Sequence, residues 1–121
     1  MFSYRDIFYS GVVRVPDQAT AIQALKDGVL VLVMPGEKPK SLKFLCPCGC
    51  GETISINLVP ATGKAWRITY EPNSGLSLWP SVWLDIGCQS HFILRRNKAR
   101  LLFGKMPEMS PEDLEKWWET A

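Results

Sequence analysis

The sequence lacks long apolar runs and any strong excess of one charge. Its longest unbroken apolar run, residues 29–35, is far below the roughly 20 residues that a membrane-spanning helix needs. Lys and Arg number 14 against 12 Asp and Glu, a net charge of +2, well short of the basic excess expected where phosphate contacts dominate binding. We therefore expect a soluble protein, and nucleic acid is not the expected partner.

The first residues also lack the features of a secretion signal. Residues 1–6 contain neither a basic stretch nor the apolar core of a signal peptide, so we expect a cytoplasmic protein in a compartment that keeps thiols reduced. Low-complexity tracts are absent, and 46% of the 121 residues are hydrophobic. This size and composition predict one globular domain over residues 1–121.

Short strand-like segments separated by Pro and Gly turns predict a mainly β fold of the α+β class, with a small antiparallel sheet. Residues 29–34 are apolar on both faces and predict a central buried strand. Residues 41–45 and 52–58 predict two strands that flank a cysteine-rich turn. Residues 91–94 and 99–103 predict a hairpin.

Two helices are expected beside the strands. Asp17 is a good N-cap for a short helix whose inward residues would be Ala21, Ile22 and Leu25. Residues 110–113, Ser-Pro-Glu-Asp, are typical of a helix start and predict a C-terminal helix. That helix would carry Trp117 and Trp118, which cannot both face one side, so one is expected to be an interaction anchor.

Cysteine and histidine are scarce, and their placement predicts a metal site. The four cysteines and the single histidine all fall within residues 46–50 and 88–91. Zn²⁺ takes Cys sulfur and His nitrogen in tetrahedral geometry, usually from two short clusters. The candidate ligands are Cys46, Cys48, Cys50, Cys88 and His91. Four of them would close a structural shell, and three with a water would form a catalytic one; the spacing leaves both alternatives open.

Glu52 is the candidate acid or base for metal-assisted catalysis. It lies two positions beyond Cys50, as the general acid/base Glu lies beyond the first ligand in zinc deaminases. Those enzymes place their motifs at helix starts, whereas Glu52 begins an alternating, strand-like segment. A solvent-facing Glu52 is therefore the alternative interpretation.

A serine hydrolase is a competing interpretation of the same histidine. Ser81 or Ser90 would be the nucleophile, His91 the base and Asp85 the orienting acid, although neither serine lies in a G-x-S-x-G elbow. A metal-bound His91 cannot also act as a base. The zinc-ligand and serine-hydrolase interpretations of His91 therefore exclude one another.

Basic residues concentrate on the predicted last hairpin and beyond it. They are Arg95, Arg96, Lys98, Arg100 and Lys105. Zinc ribbons often bind nucleic acid through such a hairpin, but a solvated edge protected by charge fits the small net charge better. Trp66, Trp79 and Trp83 are expected in the core.

Four stretches of the sequence together resemble a known bacterial family. Residues 44–51 (FLCPCGCG), Trp66, residues 78–82 (LWPSV) and residues 87–92 (GCQSHF) are similar to the domain-of-unknown-function 6527 family. The resemblance implies a small zinc protein, of a kind often encoded beside ubiquitin-like proteins and E1- and E2-like enzymes. It also implies that the three clustered cysteines, Cys88 and His91 form the metal site, with Ser81 at a strand end beside it.

The leading hypothesis is a zinc-binding accessory protein of a bacterial ubiquitin-like modification pathway. It would recognise or process a ubiquitin-like protein, and its partners would be that protein or its E1- and E2-like enzymes. The alternative is a peptidase that trims the modifier, either zinc-dependent with Glu52 as base or serine-dependent through Ser81. A nucleic-acid-binding zinc ribbon is the third hypothesis.

Overall fold

The computed structural model describes residues 3–79, 81–83, 88, 91–103, 110, 112–113 and 116. Within the described residues up to 103 the chain forms ten strands, one α-helix and a 3₁₀ turn at Pro60–Thr62, and residues 112–113 and 116 are helical. The helix is α1 (Gln18–Ala24). The strands are β1 (Ser3–Phe8), β2 (Gly11–Val15), β3 (Val29–Val33), β4 (Ser41–Leu45), β5 (Thr53–Asn57), β6 (Arg67–Glu71), β7 (Gly75–Trp79), β8 (Val82–Trp83), β9 (His91–Arg95) and β10 (Lys98–Phe103).

The strands form two four-stranded sheets and one separate hairpin. Sheet A has the order β1-β10-β9-β8, sheet B has the order β2-β3-β4-β5, and β6 pairs with β7. The predicted mainly β fold is confirmed. One pair departs from the antiparallel prediction, because β2 and β3 run parallel from Gly11↔Val29 to Val15↔Val33. Helix α1 connects these two strands and supplies the crossover that a parallel pair requires.

Strand β3 is the buried strand that its sequence predicts. All five of its residues are buried, and it lies between β2 and β4 in sheet B. Its leucines face the main core, whose largest members include Leu30, Leu42, Phe44, Leu76, Phe92 and Leu101. Its valines face a second, smaller core formed by Val15, Ala21, Val29, Val31 and Val33. The strand therefore separates the two cores.

The predicted N-terminal helix is present and has the predicted cap. The side chain of Asp17 accepts a hydrogen bond from the backbone N–H of Thr20 at 2.7 Å, which lowers the pKa of that carboxyl. Ala21 is fully buried, but Ile22 is 65% exposed, so its predicted inward placement is wrong. Helix α1 is only seven residues long, and Ala21 is its buried residue. Most of the predicted C-terminal helix, including Trp117 and Trp118, lies outside the described residues.

The predicted hairpin of β9 and β10 is confirmed, with a two-residue turn. Arg96 and Asn97 both have positive φ, 49° and 65°, as a type I′ turn requires. The side-chain oxygen of Asn97 accepts a hydrogen bond from the backbone N–H of Leu76 at 2.7 Å, and the backbone N–H of Asn97 donates to the Leu76 carbonyl. These bonds attach the turn to β7 and so place the β6–β7 hairpin against sheet A.

Two of the basic residues of this hairpin, Arg95 and Arg100, do not lie on the solvated edge that their sequence predicts, whereas Arg96 is exposed as predicted. Arg100 is 2% exposed and donates to both carboxylate oxygens of Asp6, at 2.8 and 3.0 Å. Arg95 is 9% exposed and stacks on the Trp79 ring, 3.4 Å from its centroid. Pairing of β1 with β10 and packing of β7 on β9 cover these side chains. Lys105 lies outside the described residues.

No helix in the described part of the chain is long and apolar enough to cross a membrane.

Candidate functional site

The β4–β5 hairpin presents the first three cysteines on one tight turn. The backbone N–H of Cys46 donates to the Glu52 carbonyl at 2.8 Å, and that of Gly49 donates to the Cys46 carbonyl at 3.1 Å. Gly49 and Gly51 both have φ of +87°, a conformation that glycine adopts at little cost. These two glycines bend the turn sharply between and after the clustered cysteines.

The fourth cysteine reaches this turn from a distant part of the chain. Cys46 Sγ lies 3.4 Å from Cys48 Sγ and 3.6 Å from Cys88 Sγ, and all four sulfurs lie within 4.8 Å of one another. A tetrahedral Zn²⁺ with Zn–S bonds of about 2.3 Å would separate its sulfurs by about 3.8 Å. No disulfide joins any two of the four cysteines. The geometry and chemistry of this thiol cluster therefore fit a metal ion such as zinc.

The thiol cluster lies at the surface but is anchored in the core. Cys46 is 4% exposed and packs in the main core, whereas Cys50 and Cys88 are exposed. The backbone N–H of Glu52 is hydrogen-bonded to the Cys50 sulfur and by itself lowers the pKa of that thiol, but hydrogen bonding with the neighbouring Cys48 and Cys88 sulfurs raises the pKa of Cys50 overall. Glu52 is itself exposed. Its recorded hydrogen bonds are those of its backbone, and its predicted role as a catalytic base stays a prediction.

A serine and a histidine meet beside β8 and β9. Ser81 directly precedes β8, and His91 is the first residue of β9, where it pairs with Trp83. His91 Nε2 lies 3.0 Å from Ser81 Oγ, which is the hydrogen-bond distance between a nucleophile and its base. Burial lowers the pKa of His91, so the imidazole is neutral at pH 7 and able to accept a proton.

The structure divides the predicted site residues into two groups. Among the described residues, the potential metal ligands that cluster are the four cysteines, and His91 lies outside that group. His91 instead contacts Ser81, although only three positions separate it from Cys88. Ser90 and Asp85, the other residues considered for a serine hydrolase, lie outside the described residues.

Trp66 contacts Ser81 in a way that sequence reasoning missed. Its indole N–H donates to the backbone carbonyl of Ser81 at 3.3 Å. Its backbone N–H donates to the Asn57 carbonyl at 2.9 Å, and the Asn57 side chain bonds the carbonyls of Val59 and Lys64. Trp66 is half-buried against the main core, as expected, but it also bonds to the serine's own backbone.

The fold and the site define a small β protein with a serine–histidine pair close in sequence to a four-thiol cluster. The chain belongs to the family whose model is described as "Bacterial ubiquitination-like system serine protease (BubE)", which matches residues 16–102. The matched range includes the four cysteines, Ser81 and His91. Comparison with curated proteins and with solved structures gave no match. The family match supports the association with a bacterial ubiquitination-like system, and its description does not name the 6527 family.

Proposed function

We propose that this protein is a serine protease that cleaves a ubiquitin-like protein, with Ser81 as nucleophile and His91 as general base. The observation that carries the proposal is the 3.0 Å distance between His91 Nε2 and Ser81 Oγ. The family description, a serine protease of a bacterial ubiquitination-like system, supports the same chemistry. Precursors or conjugates of the modifier are the substrates that such a system offers.

The pair accounts for both halves of peptide hydrolysis. Ser81 Oγ attacks the scissile carbonyl while His91 Nε2 takes the hydroxyl proton; the C–N bond then breaks and His91 returns the proton to the leaving amine. Water attacks the resulting acyl ester, and its proton passes to His91. Cleavage of the ester releases the carboxylate, and His91 returns a proton to Ser81. The lowered pKa of His91 keeps it in the neutral form that the first step needs.

We further propose that Zn²⁺ binds in a closed shell of Cys46, Cys48, Cys50 and Cys88. The sulfur distances support this ligand set. A closed thiolate shell stabilises a fold and has no open position for a substrate. His91 is then the surplus ligand among the five candidates, which leaves its ring available as a base. Four thiols that hold a metal require a reducing compartment, which supports the predicted cytoplasmic location.

The test of the proposal is cleavage of the cognate ubiquitin-like precursor, followed by gel electrophoresis. Ser81→Ala should reduce the cleavage rate by at least about 10³-fold, because it removes the hydroxyl that His91 contacts. The Glu52→Gln variant should cleave the precursor at the wild-type rate. If the protein were instead a zinc peptidase with Glu52 as base, this substitution should lower the cleavage rate by about 10²- to 10⁴-fold. Cleavage that survives Ser81→Ala would overturn the proposal.

A second measurement needs no knowledge of the substrate. A fluorophosphonate reacts with activated serines and should label the wild type at Ser81, as mass spectrometry would show. Ser55→Ala is the matched control, because Ser55 is exposed on β5 and bonds Lys43 at 2.6 Å. Labelling should persist in Ser55→Ala and disappear in Ser81→Ala and His91→Ala. Equal labelling of Ser81 with and without His91 would contradict the role of the histidine.

A binding role, the leading hypothesis from the sequence, is the second candidate function. The closed four-thiol set favours it, because such centres commonly support binding modules. A binding module would retain the ubiquitin-like protein or its E1- or E2-like enzyme in a pull-down and release no cleaved product. Ser81→Ala would leave that retention unchanged.

A further inference from the structure

We infer that the four-thiol cluster is a positioning element for His91: metal binding through Cys88 fixes the chain entering β9 and so holds the imidazole against Ser81. This inference rests on the proposed protease function. It assigns the metal a role in the active site's geometry and none in the bond-breaking chemistry.

The thiol cluster joins two sheets that are otherwise formed by different parts of the chain. Cys46 follows β4 of sheet B, and Cys88 precedes β9 of sheet A. Their sulfurs lie 3.6 Å apart although the residues are 42 positions apart in sequence. A metal bound here would therefore cross-link the β4–β5 hairpin to the segment that leads into β9.

That segment leads directly to the histidine. Three residues span at most about 10 Å when fully extended, so the position of Cys88 restrains where His91 can lie. One residue beyond His91, the Phe92 ring packs edge-on against Phe44 of β4, with centroids 5.9 Å apart. The end of β4 therefore contacts the chain on both sides of His91, through the metal site before it and through an aromatic pair after it.

Of these two contacts, only the one through the metal site can be removed by chelation. The Phe44–Phe92 contact is part of a close-packed core and persists as long as the core does. The four sulfurs are not joined by disulfides. Without a cation they would either be neutral thiols with weak mutual contacts or thiolates that repel one another within 4.8 Å. Metal loss should therefore release Cys88 while the core remains folded.

The reacting atoms lie outside the thiol cluster, which distinguishes this role from that of a catalytic metal. Ser81 Oγ bonds His91 Nε2, and among the described residues His91 is not a member of the ligand group. The metal would act on catalysis only by fixing the chain between Cys88 and His91. Its loss should then disturb the His91–Ser81 contact before it disturbs the sheets.

His91 is the only histidine in the chain, so its imidazole signals are unambiguous in an NMR spectrum. We would record them from ¹³C,¹⁵N-histidine-labelled protein, in the wild type and in Ser81→Ala, with one equivalent of Zn²⁺ and after chelation. With zinc, Ser81→Ala should shift the His91 signals. After chelation the wild-type signals should move or broaden, and Ser81→Ala should no longer alter them. Re-added Zn²⁺ should restore the first pattern.

Fluorophosphonate labelling of the same samples gives the functional readout. The labelling rate should fall at least 10-fold on chelation and recover with Zn²⁺. Cys88→Ser should behave like the chelated protein, whereas Cys88→His should bind zinc and restore both the NMR signals and labelling, because Cys₃His is a common zinc shell. Backbone amide signals of β3 and β10 report whether the sheets stay folded in each sample.

Two results would overturn the inference. One is a His91 spectrum that keeps its dependence on Ser81 after zinc has been removed. The other is loss of the β3 and β10 amide signals to the same extent as the His91 signals, in Cys88→Ser and in chelated wild type alike, which would show general unfolding. If the His91 signals respond to zinc but no serine is labelled in any sample, the protease proposal fails and the positioning of His91 stands.

Discussion

At the scale of single residues, burial determines the protonation state of His91. The ring is 9% exposed, and burial disfavours the imidazolium, which lowers the pKa below its ordinary value of about 6.5. The unfolded chain binds this proton more readily than the folded one. The folded state should therefore lose stability as the pH falls below about 6.5, and its His91-linked stability should be complete above that value.

The same pKa shift predicts the acid limb of the activity profile. Cleavage needs neutral His91, so kcat/KM for the modifier should fall as the pH decreases, with a midpoint below about 6.5. The measurement is the initial cleavage rate between pH 4.5 and 8, with Ser81→Ala giving the background rate at each pH. A midpoint above 6.5 would contradict burial as the dominant influence on His91.

Trp66 is the residue through which the serine's backbone can be tested. Trp66→Phe keeps an aromatic ring but removes the N–H that donates to the Ser81 carbonyl at 3.3 Å. We expect kcat to fall about 3- to 10-fold with KM unchanged, and stability to fall by about 1 kcal/mol, the net value of one hydrogen bond. Stopped assays and urea titration measure these effects.

Trp79→Phe is the matched control for this substitution. The Trp79 indole nitrogen is buried without a hydrogen-bond partner in the described part of the chain, so its removal deletes no bond seen there. This variant should keep the wild-type kcat. An equal loss of kcat in both variants would show that ring size, and not the bond to Ser81, is responsible.

The residue scale also shows how far the sequence could predict the site. The clustering of Cys46, Cys48, Cys50 and Cys88 was predictable, because metal ligands of this type come in short, closely spaced motifs. The role of His91 was left open, because the same ring nitrogen suits a zinc ligand and a base. The bond from Trp66 to Ser81 joins a side chain to a backbone carbonyl 15 residues away and leaves no spacing pattern to recognise.

At the scale of elements, local sequence patterns predicted where the strands lie, whereas long-range strand pairing determined which of their side chains are buried. The β4–β5 and β9–β10 hairpins were predictable from alternation and turn residues. The pairing of β1 with β10 joins opposite ends of the chain and has no local signal. It brings Asp6 to Arg100, 94 residues away, and places an arginine that was predicted at a solvated edge in a partly buried ion pair.

Asp6→Asn tests that ion pair. The carboxylate accepts two hydrogen bonds from Arg100, whose side chain is 2% exposed, while Asp6 itself is 24% exposed. Removing the charge leaves a buried guanidinium with a weaker acceptor, so stability should fall by about 2 kcal/mol, below the range for fully buried pairs because Asp6 is partly solvated. Urea unfolding at pH 7 measures the loss.

The pH dependence of the same pair supplies an internal control. Hydrogen bonding by Arg100 lowers the pKa of Asp6 below 3.8. The stabilisation is therefore complete above the unfolded pKa and is lost as the pH falls through the lower folded value. The stability difference between wild type and Asp6→Asn should shrink as the pH falls below about 4. A constant difference down to pH 2.5 would mean that the carboxylate charge does not stabilise the fold.

At the scale of the whole molecule, the main core is shared by the sheets, and the thiol cluster ties them at the surface. Sheet A, sheet B and the β6–β7 hairpin each contribute buried side chains to the main core. Cys46 belongs both to this core and to the thiol cluster. Binding of zinc at such a junction should stabilise the assembled sheets and not one hairpin alone.

Zinc content and thermal stability therefore give the test that separates the two roles of His91. The purified protein should carry about one zinc per chain by elemental analysis. Chelation should lower its melting temperature while the sheets stay folded at 25 °C, because the metal binds the folded state and the main core persists without it. His91→Ala should keep its zinc and most of its melting temperature, since the proposed shell is complete without the ring. Cys46→Ser should lose zinc and cost more stability than Cys50→Ser, because Cys46 is 4% exposed and Cys50 lies at the surface. Loss of zinc from His91→Ala would return the histidine to the metal shell and remove the base from the proposed protease.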